Sequence, residues 1–127
     1  MADWVFDASA VLAFLLREPG GEIVEKQMDG GAMTSVNLAE VVSRLVDTGL
    51  SPESAEETAS ELQCEIVPVD AFLGVRAGMF RHTTRRFGLS LGDRICLAYA
   101  ERVRLPVLTS DRAWAKLDLG VDVRLIR

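Results

Sequence analysis

Trp4-Val5-Phe6-Asp7-Ala8-Ser9-Ala10-Val11-Leu12-Ala13-Phe14-Leu15-Leu16 is the stretch that decides the fold. Three apolar residues stop at an acid, and a longer apolar run follows until Pro19-Gly20-Gly21 breaks it. The first piece reads as a strand, Trp4 to Phe6, ending at Asp7. The second reads as a helix, Ala10 to Arg17.

The same alternation continues outward along the chain. A helix is expected from Gly21 to Met28 and a strand over Ala32 to Thr34. Asn37 to Thr48 is amphipathic, with Leu38, Val41, Val42, Leu45 and Val46 as its apolar stripe and Gly49 as its stop. Ser51-Pro52-Glu53 opens the next helix with a serine cap, a first-turn proline and an acid at the positive end. Glu65 to Val69 reads as a strand, and Asp70 to Phe87 as a helix halted by Gly88. Ser90-Leu91-Gly92-Asp93 resembles a capping box ahead of an apolar helix, Ile95 to Val103. A strand over Pro106 to Thr109, a short helix from Asp111 to Leu117 and a last strand, Val121 to Leu125, complete the pattern. Strands separated by helices, with connections long enough for parallel crossovers, predict an α/β fold with helices on both faces of the sheet. Strand order does not follow from this pattern.

The 127 residues are expected to form a single domain over 1–127 with a core large enough to need no staples. No run approaches the roughly 20 apolar residues of a membrane span, and Ala8 to Leu16 lacks the flanks of a signal peptide. Two cysteines, Cys64 and Cys96, are too few for a disulfide framework, and Cys96 reads as a buried thiol. A reduced, cytoplasmic protein is expected. The net charge of −5 disfavours simple nucleic-acid binding, yet carboxylates that hold a cation have their local charge inverted. Of the 14 basic residues 12 are arginine, and Arg76, Arg81, Arg85 and Arg86 fall in one stretch without an acid. That run is either a solvated helix face or an edge that grips phosphate.

Ligands of open parallel sheets bind beyond the carboxyl ends of the strands, so acids placed there are the first candidates. Asp7, Asp70 and Asp111 follow strands, Asp93 opens a helix and Glu40 lies one turn into another. Each has a plain alternative. The three strand-end acids serve equally as helix caps, Asp93 as the partner of Ser90, and Glu40 as a surface ion pair with Arg44. Gathered together, they would repel unless a hard cation such as Mg²⁺ or Mn²⁺ sat among them. His82 is the only histidine, so zinc sites of several histidines and paired-histidine nuclease chemistry are excluded. Metal-assisted hydrolysis remains.

Val5-Phe6-Asp7-Ala8-Ser9, Asn37-Leu38-Ala39-Glu40, Leu89-Ser90-Leu91-Gly92-Asp93 and Leu108-Thr109-Ser110-Asp111, in this order, resemble a PIN domain. More narrowly they resemble the VapC ribonuclease toxins of toxin–antitoxin pairs. The resemblance implies a parallel sheet in the order 3-2-1-4-5, which would set Asp7 beside Asp111 and leave Asp70 two strands away, as a cap outside the site. It implies that Asp7, Glu40, Asp93 and Asp111 hold Mg²⁺ or Mn²⁺, with Asp7 and Asp93 as direct ligands and Glu40 and Asp111 direct or through water. Ser9, Asn37 and Thr109 take supporting places by position alone. The implied activity is hydrolysis of RNA, with tRNA among the substrates, leaving a 5′-phosphate and a 3′-hydroxyl. The implied partners are a cognate antitoxin and a second copy of the chain. Alternatives are a PIN nuclease of RNA processing and a catalytically silent PIN binding module. A phospho-acceptor signalling domain is disfavoured, because neither Lys26 nor Lys116 falls at a strand end.

Overall fold

The computed structural model describes residues 1–127. Five strands, β1 (Trp4–Phe6), β2 (Gly31–Thr34), β3 (Glu65–Val67), β4 (Val107–Thr109) and β5 (Val123–Leu125), form one sheet in the order β3-β2-β1-β4-β5. All four pairings are parallel. Six helices connect them: α1 (Ala8–Leu15), α2 (Gly21–Gln27), α3 (Ser35–Asp47), α4 (Pro52–Ser60), α5 (Ala71–Thr84) and α6 (Leu91–Val103).

The alternation of side chains along each strand divides the core in two. Val5, Ala32 and Val107 point to one face and pack with Leu73, Ala77, Phe80, Ile95 and Trp114. Phe6, Met33 and Leu108 point to the other and pack with Val11, Val24, Val41 and Leu45. Helices α5 and α6 therefore cover one face, and α1 to α4 supply the buried residues of the other. Close approach is built in at Gly31, where a Cβ would overlap the ring of Phe6 across the β1–β2 pair.

The chain winds from β1 outward to β2 and β3, then crosses back to place β4 on the free side of β1. The winding reverses between β1 and β4, where the register sets Val5 beside Val107 and Phe6 beside Leu108. The next residues, Asp7 just past β1 and Thr109 at the end of β4, meet at the carboxyl edge of the sheet.

Several boundaries differ from the sequence expectation, three of them at polar first turns. Helix α1 begins at Ala8 rather than Ala10, because Asp7 itself is the cap and Ser9 lies inside the first turn. Helix α3 begins at Ser35, capped by Thr34, which puts Asn37 inside the helix. Helix α6 begins at Leu91 rather than Ile95, with Asp93 as its third residue. The helix expected to reach Phe87 yields at Thr84 to a 3-10 turn over Arg85–Phe87, closed by Gly88 in the left-handed region. Asp111 caps a 3-10 turn over Arg112–Lys116. No helix is long and apolar enough to cross a membrane.

Candidate active site

Asp7, Glu40, Asp93 and Asp111 line one cleft of about 430 Å³ at the carboxyl edge of the sheet, together with Ser9, Glu18, Arg44, Ser110 and Arg127. The four acids come from the cap of α1, the second turn of α3, the first turn of α6 and the exit of β4. Each is tied to the backbone or a neighbour through an identified oxygen.

Asp7 is 2% exposed. Its Oδ1 accepts the Ala10 N–H at 2.8 Å, which caps α1. Its Oδ2 accepts the Thr109 hydroxyl at 2.6 Å, and the Ser9 hydroxyl lies 2.8 Å from both carboxylate oxygens. The Thr109 hydroxyl oxygen in turn accepts the Asp111 N–H at 3.0 Å, and the Ser9 oxygen accepts the Ser110 N–H at 3.0 Å. This chain of bonds fastens the exit of β4 to the start of α1 and sets Asp111 relative to Asp7.

Glu40 is held from the other side. Asn37 is fully buried, and its amide donates to Glu40 Oε1 at 2.8 Å and to the Gly92 carbonyl at 3.1 Å. Its own Oδ1 accepts the Thr34 hydroxyl at 2.6 Å, so every polar group of this buried side chain is used. A Cβ at Gly92 would overlap the Glu40 carboxylate, so any side chain there requires Glu40 to move. The Glu40–Arg44 ion pair that the i, i+4 spacing allowed does not form; none of the four acids is in an ion pair.

Asp93 closes the capping box of α6: its Oδ2 accepts the Ser90 N–H at 3.0 Å, and its own N–H donates to Ser90 Oγ at 3.1 Å. Asp111 Oδ1 accepts the Ala113 N–H at 3.0 Å. The capping readings and the shared cleft are thus compatible. One oxygen of Glu40, Asp93 and Asp111 does local structural work, and the other is left without a hydrogen-bond partner.

Burial disfavours the charged form of Asp7, Glu40 and Asp93. It pushes Asp7 up to about 6, against the opposing bonds from Thr109, Ala10 and Ser9 and with some help from the charge of Asp93. Glu40 is raised chiefly by burial, against Asn37, with Asp93 adding to the rise. Asp93 is raised by burial too, opposed by its Ser90 bonds and by the charge of Arg94, and raised further by Asp111. Asp93 therefore feels or exerts repulsion toward all three others. Cys96, fully buried one turn along α6, is pushed up by burial and by the charges of Asp7, Asp93 and Glu40, which keeps it an inert thiol.

Asp70 lies apart. It caps α5 through the Leu73 N–H at 3.0 Å and pairs with Arg102 at 2.9 Å, exposed and away from the cleft. The arginine run is also elsewhere. Arg76 is engaged by Glu101 through two bonds of 2.7 and 2.8 Å, and Arg81, Arg85 and Arg86 are exposed without lining the acid cleft. Sequence reasoning passed over two basic residues that do line it, Arg44 and Arg127. They sit far apart in the chain, and only the fold brings them to one place.

The model of the PIN domain family matches residues 4–119. This chain belongs to the PIN domain family. No curated protein matches it by sequence. Among solved structures the fold is similar to DNA-bound VapBC from Salmonella typhimurium, at 18% identity over all of both chains with a TM-score of 0.75. A toxin–antitoxin complex from Klebsiella pneumoniae is similar at 19% identity over all of this chain and 98% of that one, with a TM-score of 0.73. VapBC-5 from Mycobacterium tuberculosis is similar at 24% identity over 98% of each, with a TM-score of 0.63. PIN nucleases ordinarily use divalent metal ions, and the donors in this cleft fit such an ion. They are oxygens only, the match for hard cations, and none of the four is in an ion pair. As placed, no three of these side chains form a set that encloses one ion. Mg²⁺ does not ask for that, since it is usually held by one or two carboxylates and keeps several waters.

Proposed function

We propose that this PIN domain, acting as a single domain over 1–127, is a metal-dependent endoribonuclease and the toxin of a VapBC-like toxin–antitoxin pair. The observation that carries this reading is the meeting of Asp7, Glu40, Asp93 and Asp111 in one cleft at the switch point between β1 and β4. Asp7 and Asp93 are assigned as direct ligands of Mg²⁺ or Mn²⁺, with Glu40 and Asp111 direct or through water. When bound, such an ion lowers the pKa of water and offsets charge on the phosphoryl oxygens.

The chain's own residues supply orientation. Thr109 and Ser9 hold the Asp7 carboxylate at a fixed angle, so that it does not reorganise when a phosphodiester arrives. Asn37 and the bare backbone of Gly92 do the same for Glu40. The reaction adds water oxygen to phosphorus and breaks the bond to O3′, leaving a 5′-phosphate and a 3′-hydroxyl. Unpaired RNA, of which a tRNA loop is one form, is the substrate class, because bases are legible to proteins only where they are unstacked.

Two partners belong to this reading. The solved complexes named above pair a toxin with an antitoxin, which supports a cognate antitoxin here. A homodimer is supported by the stripe of Phe72, Val75 and Met79 on α5, each more than half exposed at i, i+3 and i+7 spacing. A cytoplasmic site of action suits the two unpaired thiols, Cys64 and Cys96. Induced expression in a bacterial host tests the toxin role: growth arrest relieved by co-expression of the adjacent gene product is expected. Nuclease activity without growth arrest would instead assign the chain to RNA processing.

A further inference from the structure

We infer that Arg44 and Arg127 form a two-sided phosphate grip that positions RNA across the acid cleft, an inference that rests on the nuclease reading above. A strand of RNA brings one negative charge per nucleotide into a cleft already lined by Asp7, Glu18, Glu40, Asp93 and Asp111. Asp7, Glu40, Asp93 and Asp111 would hold a cation that neutralises the scissile phosphate. The flanking phosphates need positive charge of their own, or the acids repel them.

Only two cationic side chains line this cleft, Arg44 and Arg127. Arg44 stands one helical turn beyond Glu40 on α3, is exposed, and forms neither an ion pair nor a hydrogen bond. Its natural acid partner, Glu40, is instead held by Asn37, so the guanidinium is left free beside the carboxylates. Arg127 comes from beyond β5, on the opposite end of the sequence. Its Nη1 donates to the Pro19 carbonyl at 2.8 Å, which fixes the guanidinium on the cleft wall. Its contact with Glu18 is long, at 3.5 Å, and leaves further N–H donors for an incoming oxyanion. One free and one anchored guanidinium, both in the acid cleft, suit the forked geometry with which arginine takes phosphate. The denser run at Arg81, Arg85 and Arg86 lies outside that cleft.

The test is fluorescence anisotropy of a labelled single-stranded RNA with the Asp93→Asn chain in Mg²⁺, which removes turnover and leaves binding as the readout. Arg44→Gln and Arg127→Gln are each expected to weaken binding about tenfold and to lower the slope of log affinity against log salt by about 0.7, the value for one contact on a single strand. Arg44→Lys should keep the slope while losing part of the affinity. Arg81→Gln with Arg85→Gln serves as the control and should leave both quantities unchanged. A parent chain that binds RNA while the Arg44 and Arg127 variants keep its affinity and slope overturns this inference alone. A parent chain that binds no RNA overturns the nuclease reading together with it.

Discussion

Thr109 donates its hydroxyl proton to Asp7 across the β1–β4 pair at 2.6 Å, from a position fully buried at the point where the sheet changes direction. The same oxygen accepts the Asp111 N–H. A single hydroxyl thus sets the orientation of one candidate ligand and the backbone of another. Thr109→Val keeps the shape and removes both bonds. It should cost about 1–3 kcal/mol at pH 7, the usual penalty for stranding buried polar groups. Urea unfolding in EDTA measures it, and the cost should shrink at pH 4, where Asp7 is protonated.

Asp7 also makes the stability of the metal-free protein depend on pH. Its folded pKa lies at about 6, above the ordinary 3.8, so the folded state keeps a proton that the unfolded chain has released. Stability therefore falls as pH rises from about 4 through about 6, and stays lost above that. The rise corresponds to about 3 kcal/mol. In EDTA, Asp7→Asn should be more stable than wild type at pH 7.5, with the difference closing near pH 4. Mn²⁺ at pH 7.5 should raise the melting temperature of wild type and do little for Asp7→Asn.

Gly92 is where α6 passes the Glu40 carboxylate so closely that a Cβ would push it aside. Gly92→Ala should displace the Glu40 carboxylate and lose its bond from the Asn37 amide. The expected cost is about 1–3 kcal/mol of overpacking, with retained secondary structure. The Mn²⁺-induced thermal shift should be smaller than in wild type. An unchanged shift would place Glu40 outside the metal site.

The exposed stripe on α5 predicts association. Light scattering after size exclusion should give twice the mass of one chain, and Val75→Glu should give one, with the melting curve little altered because Val75 is 65% exposed. A wild-type monomer at micromolar concentration would count against the dimer.

How far the sequence spoke can be seen residue by residue. The strand ending at Asp7 and the strand ending at Thr109 were legible because each is a short apolar run cut by a polar residue. The capping box of Ser90 and Asp93 was legible from its spacing. The apolar period places the starts of α1 and α6 two to four residues late, at Ala10 and Ile95 instead of Ala8 and Leu91, since polar first turns carry no apolar period. The cradle at Gly92 was not legible, because it depends on how closely α6 approaches α3. Arg44 was visible only as a partner for Glu40, and Arg127 not at all. The run from Arg76 to Arg86 drew attention by density, yet nearness in sequence did not make nearness to the acids.

The most direct measurement is cleavage of a labelled single-stranded RNA panel in Mg²⁺, Mn²⁺ or EDTA, with wild type beside Asp93→Asn. The account predicts metal-dependent products carrying 5′-phosphates, abolished by EDTA and reduced at least about a hundredfold by the substitution. Cleavage that persists in EDTA, or equally in Asp93→Asn, would contradict it, as would folded protein that cuts no RNA under either metal.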